Sequence, residues 1–261
     1  MLKLRVDLHP GQSPLLATAI HNGHYIRPEL AAHLFIDQFD RMREEDPCTE
    51  YFTDIAKSQL IVDTSRFEVD VNRPRTSAIY LTAEQSWGLR VWKENLPEHA
   101  REQSLEEYDA FYARLKSTIN RFIDQWGFIV IYDIHSYNFR RGKKEAGPKE
   151  NPEINLGTAS MDKIYWKAVI DHFMKETSAF NYLGRKLTVA ENVRFRGGYM
   201  AQWVHKNYPG KACVLAIELK KFFMDEWTGA VDLEKIKTLR KVLGKTVPGV
   251  LQAAEQAAVK Q

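Results

Sequence analysis

The sequence predicts an α/β protein in three layers, a mixed and mostly parallel sheet with helices on both faces. Two observations carry that prediction. Runs such as Phe128–Tyr132 and Val214–Ile217 are continuously apolar and rich in β-branched residues, which marks strands buried on both faces. Between such runs lie longer segments with apolar residues at helical spacing, and that alternation is what βαβ units produce. At 261 residues, with 44% hydrophobic and 27% charged side chains, the chain has an ordinary globular composition, and a single domain over residues 1–261 is expected.

Taken from the amino terminus, Pro14–Ile20 reads as a strand that leads into His21. Arg27-Pro28-Glu29-Leu30 then opens a helix with proline in its first turn, and Leu30, Leu34, Ile36, Phe39 and Met42 supply its apolar side. Leu60–Thr64 is a short strand, and Phe67–Val71 alternates like a second one. Ser104-Leu105-Glu106-Glu107 resembles a capping box, followed by Leu105, Tyr108, Tyr112, Leu115, Ile119, Phe122 and Trp126 at helical spacing, with Gly127 as the stop. Phe128–Tyr132 is the strand that delivers Asp133 and His135. Residues Arg140 to Asn155 are charged and rich in Gly and Pro, which predicts a mobile loop beside that strand, able to attract an anionic substrate. A helix over 161–176, a strand near 187–191, a helix over 199–207, the strand leading into Glu218 and a helix from about 232 complete the series. No internal repeat or separating linker interrupts it.

A net charge of +3 gives no argument for nucleic acid, while pI ≈ 8.7 suits a small anionic substrate. Cys48 and Cys213 are the only cysteines, so no disulfide framework is expected. Met1–Asp7 lacks the apolar segment of a signal peptide, and no run approaches the roughly 18 apolar residues of a spanning helix. The expected location is the cytoplasm, with no membrane partner.

Open α/β sheets place their chemistry at the carboxyl ends of the strands. Here three strand ends deliver His21, His135 and Glu218, and two imidazoles with a carboxylate suggest a metal-assisted hydrolase. A catalytic zinc takes three protein ligands from His, Asp and Glu and leaves one position for water. Either histidine alone reads as a hydrogen-bonded strand-end residue; their shared position favours a joint site. His24 is a further donor, and no His-Glu-x-x-His motif is present. The third ligand stays open within Glu44-Glu45-Asp46-Pro47-Cys48-Thr49-Glu50, where Asp46 equally suits a cap for a helix begun by Pro47. Ser65–Pro74 brings Arg66, Asn72 and Arg73 together, and Arg194-Phe195-Arg196-Gly197-Gly198 forms a second arginine site. Guanidinium groups recognise carboxylates and stabilise developing oxyanions. Glu218 interrupts a buried run, either as a partner for Lys220 or Lys221 or as a partly desolvated general base.

His21-Asn22-Gly23, Asp46-Pro47-x-Thr49, Ser65-Arg66-Phe67-x-Val69-Asp70-x-Asn72-Arg73-Pro74, Asp133-x-His135-Ser136, Asn155-x-Gly157-Thr158, Arg196-Gly197-Gly198-Tyr199 and the Glu218 block with Met224-Asp225-Glu226 follow one another in order. Together they resemble the N-formylglutamate amidohydrolase (deformylase) family, from about residue 13 to 229. The resemblance implies a fold like that of the zinc carboxypeptidase and aspartoacylase group. It also implies a Zn²⁺ hydrolase that cleaves the N-acyl amide of an acidic amino acid such as N-formylglutamate. By position, it makes His21, Asp46 and His135 the metal ligands, with Glu50 in reserve for Asp46. Glu218 becomes the base, Arg73 a catalytic or carboxylate contact, and Asn72 and Arg196 further substrate contacts. Ile20 and Asn22 depart from the family's Pro-His-Ser-Gly, and the basic loop 139–149 has no counterpart. A metallocarboxypeptidase or deacylase with the same site is the close alternative. A non-catalytic ligand-binding protein is the distant one, opposed by the joint presence of His21, His135 and Glu218.

Overall fold

The computed structural model describes residues 2–140, 147 and 149–259. Its strands are β1 (Leu4–Asp7), β2 (Leu15–Ala19), β3 (Ser58–Val62), β4 (Ile129–Tyr137), β5 (Ile154–Gly157), β6 (Val189–Glu191) and β7 (Ala212–Lys220). They form one mixed sheet in the order β1-β3-β2-β4-β7-β5-β6. The β3, β2, β4 and β7 strands run parallel, β1 pairs antiparallel with β3, and β5 pairs antiparallel with β7. The helices are α1 (Pro28–Ala31), α2 (Gln38–Glu44), α3 (Glu98–Trp126), α4 (Lys167–Ala179), α5 (Tyr199–Asn207) and α6 (Leu233–Ala258). None among the described residues is long and apolar enough to cross a membrane.

Strand side chains alternate faces, so each central strand feeds two cores. Val130, Tyr132 and Ile134 of β4 join Cys213, Leu215 and Ile217 of β7 beneath α4 and α6. Ile129 and Ile131 join Ala212 and Val214 on the opposite face, against α3 and α5. Helices therefore cover both faces, as the continuous apolar runs require. On the α3/α5 face the side chains turn polar towards the strands' carboxyl ends. His135 stands directly opposite Glu218 in the β4–β7 register, and Asp133 opposite Thr18 in the β2–β4 register. Functional side chains thus occupy core-facing positions, two residues beyond the last apolar layer.

Several expected elements differ. The helix predicted from Pro28 through Met42 is broken into α1 and α2, because Phe35 and Ile36 donate their N–H groups to the Val91 carbonyl and Asp37 caps a fresh start at Gln38 by accepting the Asp40 N–H. Phe67–Val71 is not a strand. Its acidic side chains bind backbone instead: Glu68 accepts the Arg27 N–H and Asp70 the Asn72 N–H, which competes with a ladder. Ser104 does not open α3, which begins at Glu98 behind Pro97; its hydroxyl donates back to the Ala100 carbonyl inside the helix. Helix α4 starts at Lys167 rather than 161, since Asp162 turns the chain by accepting the Ile164 and Tyr165 N–H groups. The basic loop predicted over 140–155 falls partly outside the described residues, and its last two positions already belong to β5.

Candidate active site

His21, Asp46 and His135 converge at the sheet's carboxyl edge, with one potential ligand atom from each within 4.8 Å of the others. All three are buried. His21 follows β2, His135 lies within β4, and Asp46 is carried on the turn after α2. That turn is fixed from several sides. The Asp46 N–H donates to the His21 carbonyl, the Asp46 carbonyl accepts the Thr49 hydroxyl, and Cys48 adopts a left-handed conformation at φ 69°.

Each imidazole has its outer nitrogen beside a carboxylate. His21 Nε2 lies 2.7 Å from Asp70 Oδ1, so this nitrogen carries the proton and the Nδ1 lone pair faces inward. His135 Nε2 lies 3.0 Å from Asp133 Oδ2, close but out of hydrogen-bond alignment, while its Nδ1 lies 3.0 Å from Asp46 Oδ2. Thr18 orients Asp133 by donating to its Oδ1. Asp70 is a hub: besides His21 it accepts from the Asn72 N–H, from Arg66 at 2.7 Å and from the Tyr80 hydroxyl. Carboxylates behind histidines fix the ring and raise its basicity, the arrangement found behind metal-ligating imidazoles.

The electrostatics report a surplus of negative charge. Burial opposes ionisation of Asp46, yet hydrogen bonds to His135 and His21 outweigh it and hold its carboxyl well below the usual range. Burial likewise opposes a charge on His135, and Asp133 with Asp46 overcomes it, raising its pKa. For Glu218, burial pushes the carboxyl up to about 8, helped by Asp46 and Asp133 and opposed by His135. The donor set, its inward lone pair and this surplus fit a divalent cation.

A cavity of about 450 Å³ opens over the cluster. Its wall includes Arg66, Asn72, Arg73, Arg194, Arg196 and Glu218. Among the described residues the Glu218 carboxylate has neither a hydrogen bond nor an ion pair. Lys221, one of its two expected partners, donates to the carbonyls of Arg43 and Glu45, while the Lys220 ammonium sits over the Phe139 ring. Arg66 is committed to Asp70 and Tyr80, whereas the Arg73 guanidinium donates to the Gln85 carbonyl and lies 3.9 Å from Asp70. Asn72 borders the cavity, but its amide oxygen accepts the Met200 N–H and holds the start of α5. Asn155, opposite Glu218 in the β5–β7 register, accepts the Val193 and Arg194 N–H groups and so sets the arginine loop. That loop passes so close to Gly157 that a Cβ there would lie 2.4 Å from the Gly197 nitrogen.

Glu50 and His24 stay outside the cluster. Glu50 pairs with Arg5, and His24 with Glu45. The sequence reading gave no role to Asp70 or Tyr80 and placed Lys221 only as a possible partner of Glu218. Asp70 carried a signal, an acid between Val69 and Val71 that strand burial would have excluded. Lys221 carried none, because a lysine after a strand reads as solvated.

The sequence profile of the N-formylglutamate amidohydrolase family matches residues 13–223. An N-formylglutamate deformylase of Pseudomonas putida is 24% identical over 225 residues, 79% of each chain. Among solved structures, an N-formylglutamate amidohydrolase from Ralstonia eutropha superposes with a TM-score of 0.73 at 15% identity, over 100% of both chains. A gene product of Agrobacterium tumefaciens gives 0.67 at 18% identity over 94% of both. These structural likenesses speak for the fold.

Proposed function

This chain belongs to the N-formylglutamate amidohydrolase family and is a hydrolase of amide bonds; from that premise we propose that it removes the acyl group from an N-acylated acidic amino acid, with N-formylglutamate as the substrate. The whole chain acts as one catalytic domain in the cytoplasm. His21, Asp46 and His135 hold a divalent ion, zinc being the best match to a His/Asp/His donor set. When bound, the ion supplies Lewis acidity at the acyl carbonyl and to the attacking water.

The residues do the remainder. A Glu218 carboxylate oxygen takes a proton from the water as its oxygen bonds to the acyl carbon. The same carboxyl then gives that proton to the amide nitrogen as the C–N bond breaks, releasing formate and the free amino acid. A carboxyl with a pKa near 8 both accepts and returns a proton near neutral pH. Arg66, held by Asp70, and Arg73 face negative charge on the tetrahedral oxygen or a substrate carboxylate. Arg196, with the Asn72 amide nitrogen, supplies the remaining polar contacts, and the cationic wall favours a doubly charged substrate.

The observation that carries the reading is Glu218, without a hydrogen-bond or ion-pair partner among the described residues, opposite His135 in the β4–β7 register and beside two inward-turned imidazoles. The test is hydrolysis of a panel of N-formyl and N-acetyl amino acids, run with zinc content measured in parallel. N-formylglutamate should be the preferred member, and a chelator should abolish turnover. His135→Ala should lose both metal and activity. A His135→Ala protein with a full zinc complement overturns the ligand assignment, and cleavage of only C-terminal peptide bonds moves the reading to a carboxypeptidase.

A further inference from the structure

Lys221 is a lysine with its side chain in the interior, only 1% exposed. An ammonium there costs several kcal/mol of desolvation unless its donors are met. They are met by main chain. Nζ donates to the Arg43 carbonyl and to the Glu45 carbonyl, each at 2.7 Å, on the turn that presents Asp46. Its own N–H donates to the Tyr137 carbonyl at the end of β4. Asn138 adds a second donor to the Arg43 carbonyl. One residue therefore ties three pieces: the Asp46 turn, the His135 strand and the strand that carries Glu218 three positions earlier.

Other bonds tie the turn to His21 and to Asn138 just past β4, and Lys221 adds the tie from the end of β7. Asp46 belongs to an irregular turn, not to the sheet, so the β4–β7 ladder that sets His135 against Glu218 does not reach it. Burial lowers the Lys221 pKa to about 8, and the negative charge of Asp46, Glu44 and Glu226 offsets part of that cost. A neutral residue would give the carbonyls no comparable partner and would leave those carboxylates less balanced.

We propose that Lys221 is a positioning residue for the metal and base, clamping the Asp46 turn to β7 and so setting the place of Asp46 relative to His135 and Glu218. This rests on the metal-dependent reading above. Lys221 borders the cavity, but its Nζ is engaged by the two turn carbonyls, and the role proposed is exerted through the turn.

The experiment is zinc titration of metal-stripped protein against a chromophoric chelator, for the wild type, Lys221→Met, Lys221→Gln and Arg27→Met. Thermal unfolding of each metal-free protein and kcat and KM on N-formylglutamate are measured alongside. Lys221→Met should bind zinc about 10–100-fold more weakly, the usual cost of removing a group that orients a ligand. Its kcat should fall with KM little changed, and Lys221→Gln, which keeps an N–H donor, should recover part of the affinity. Arg27→Met, altered in a buried ion cluster remote in role from the turn, should lose thermal stability and keep its zinc affinity. Wild-type zinc affinity in the folded fraction of either Lys221 variant overturns the inference, as does an equal loss in Arg27→Met. A wild type that takes up no zinc overturns the reading of the site itself, which separates the two failures.

Discussion

Around Arg27, buried charges meet one another; around Asp46, they wait for something. The Arg27 guanidinium lies between Glu68 and Glu107, each at 3.4 Å, and also donates to Ser104 and the Ala100 carbonyl. That cluster ties the start of α1 to α3 and closes on itself. Around the Asp46 cluster, Asp46, Asp70, Asp133 and Glu218 face two imidazoles, Arg66 and Lys221, and Glu218 has no hydrogen-bond or ion-pair partner among the described residues. Both clusters hold ionisable groups away from water, which costs desolvation. The difference is that one spends its charge on holding elements together and the other keeps a surplus aimed at a cavity. Stability belongs to the first and chemistry to the second.

The sharpest way to break that comparison is Glu218→Gln, which preserves shape but can neither take nor return a proton. A folded, zinc-loaded protein whose kcat falls about 10²–10⁴-fold is expected, with substrate binding much less affected. Near-normal kcat would return Glu218 to a structural role and erase the distinction between the clusters. The mirror experiment is Arg27→Met. Leaving Glu68 and Glu107 buried without their cation should cost about 3–5 kcal/mol by chemical denaturation, with kcat per folded molecule unchanged. A variant that keeps its stability but loses turnover would reverse the assignment of roles.

A third, smaller effect uses a histidine with no carboxylate behind it. His205 Nε2 accepts the Val214 N–H, so Nδ1 carries the proton and donates to Ser160; the serine is not activated as a nucleophile. Burial lowers its pKa to about 4, the reverse of His135. The unfolded chain, with His near 6.5, then binds more protons between those values, so stability falls as pH drops from about 6.5 to about 4 and this contribution is flat below. The loss should reach about 2 kcal/mol at pH 5. Denaturation curves at pH 7 and pH 5 should show it in the wild type and not in His205→Gln. Equal pH dependence in both would remove His205 from the account.

Much of this arrangement was legible in the sequence for a physical reason. Buried strands announce themselves by uninterrupted apolar runs, and a charge that breaks such a run has to be there for chemistry or for a partner; His135 and Glu218 stand out on that ground. Asp70 escaped because Phe67–Val71 alternates as a strand would, while the carboxylates of Glu68 and Asp70 bind backbone and arginine, a three-dimensional outcome. The preference for Asp46 over Glu50 came from the family resemblance and not from residue spacing, which does not carry the pairing of Glu50 with Arg5. The break between α1 and α2 came from pairing with residues 91–93, which local periodicity does not carry.

The strand order has a consequence in time as well as in space. β7 lies between β4 and β5, yet it is the last strand made, so the chain must hold open or later widen a place for it. Until residues 212–220 enter that gap, a growing chain possesses His21, Asp46 and His135 but has neither Glu218 nor the Lys221 clamp. Pairings that join distant parts of a chain form late. On the proposed mechanism, hydrolytic competence therefore arrives with the closing strand, and a chain cut short before it lacks both the proposed base and the proposed clamp.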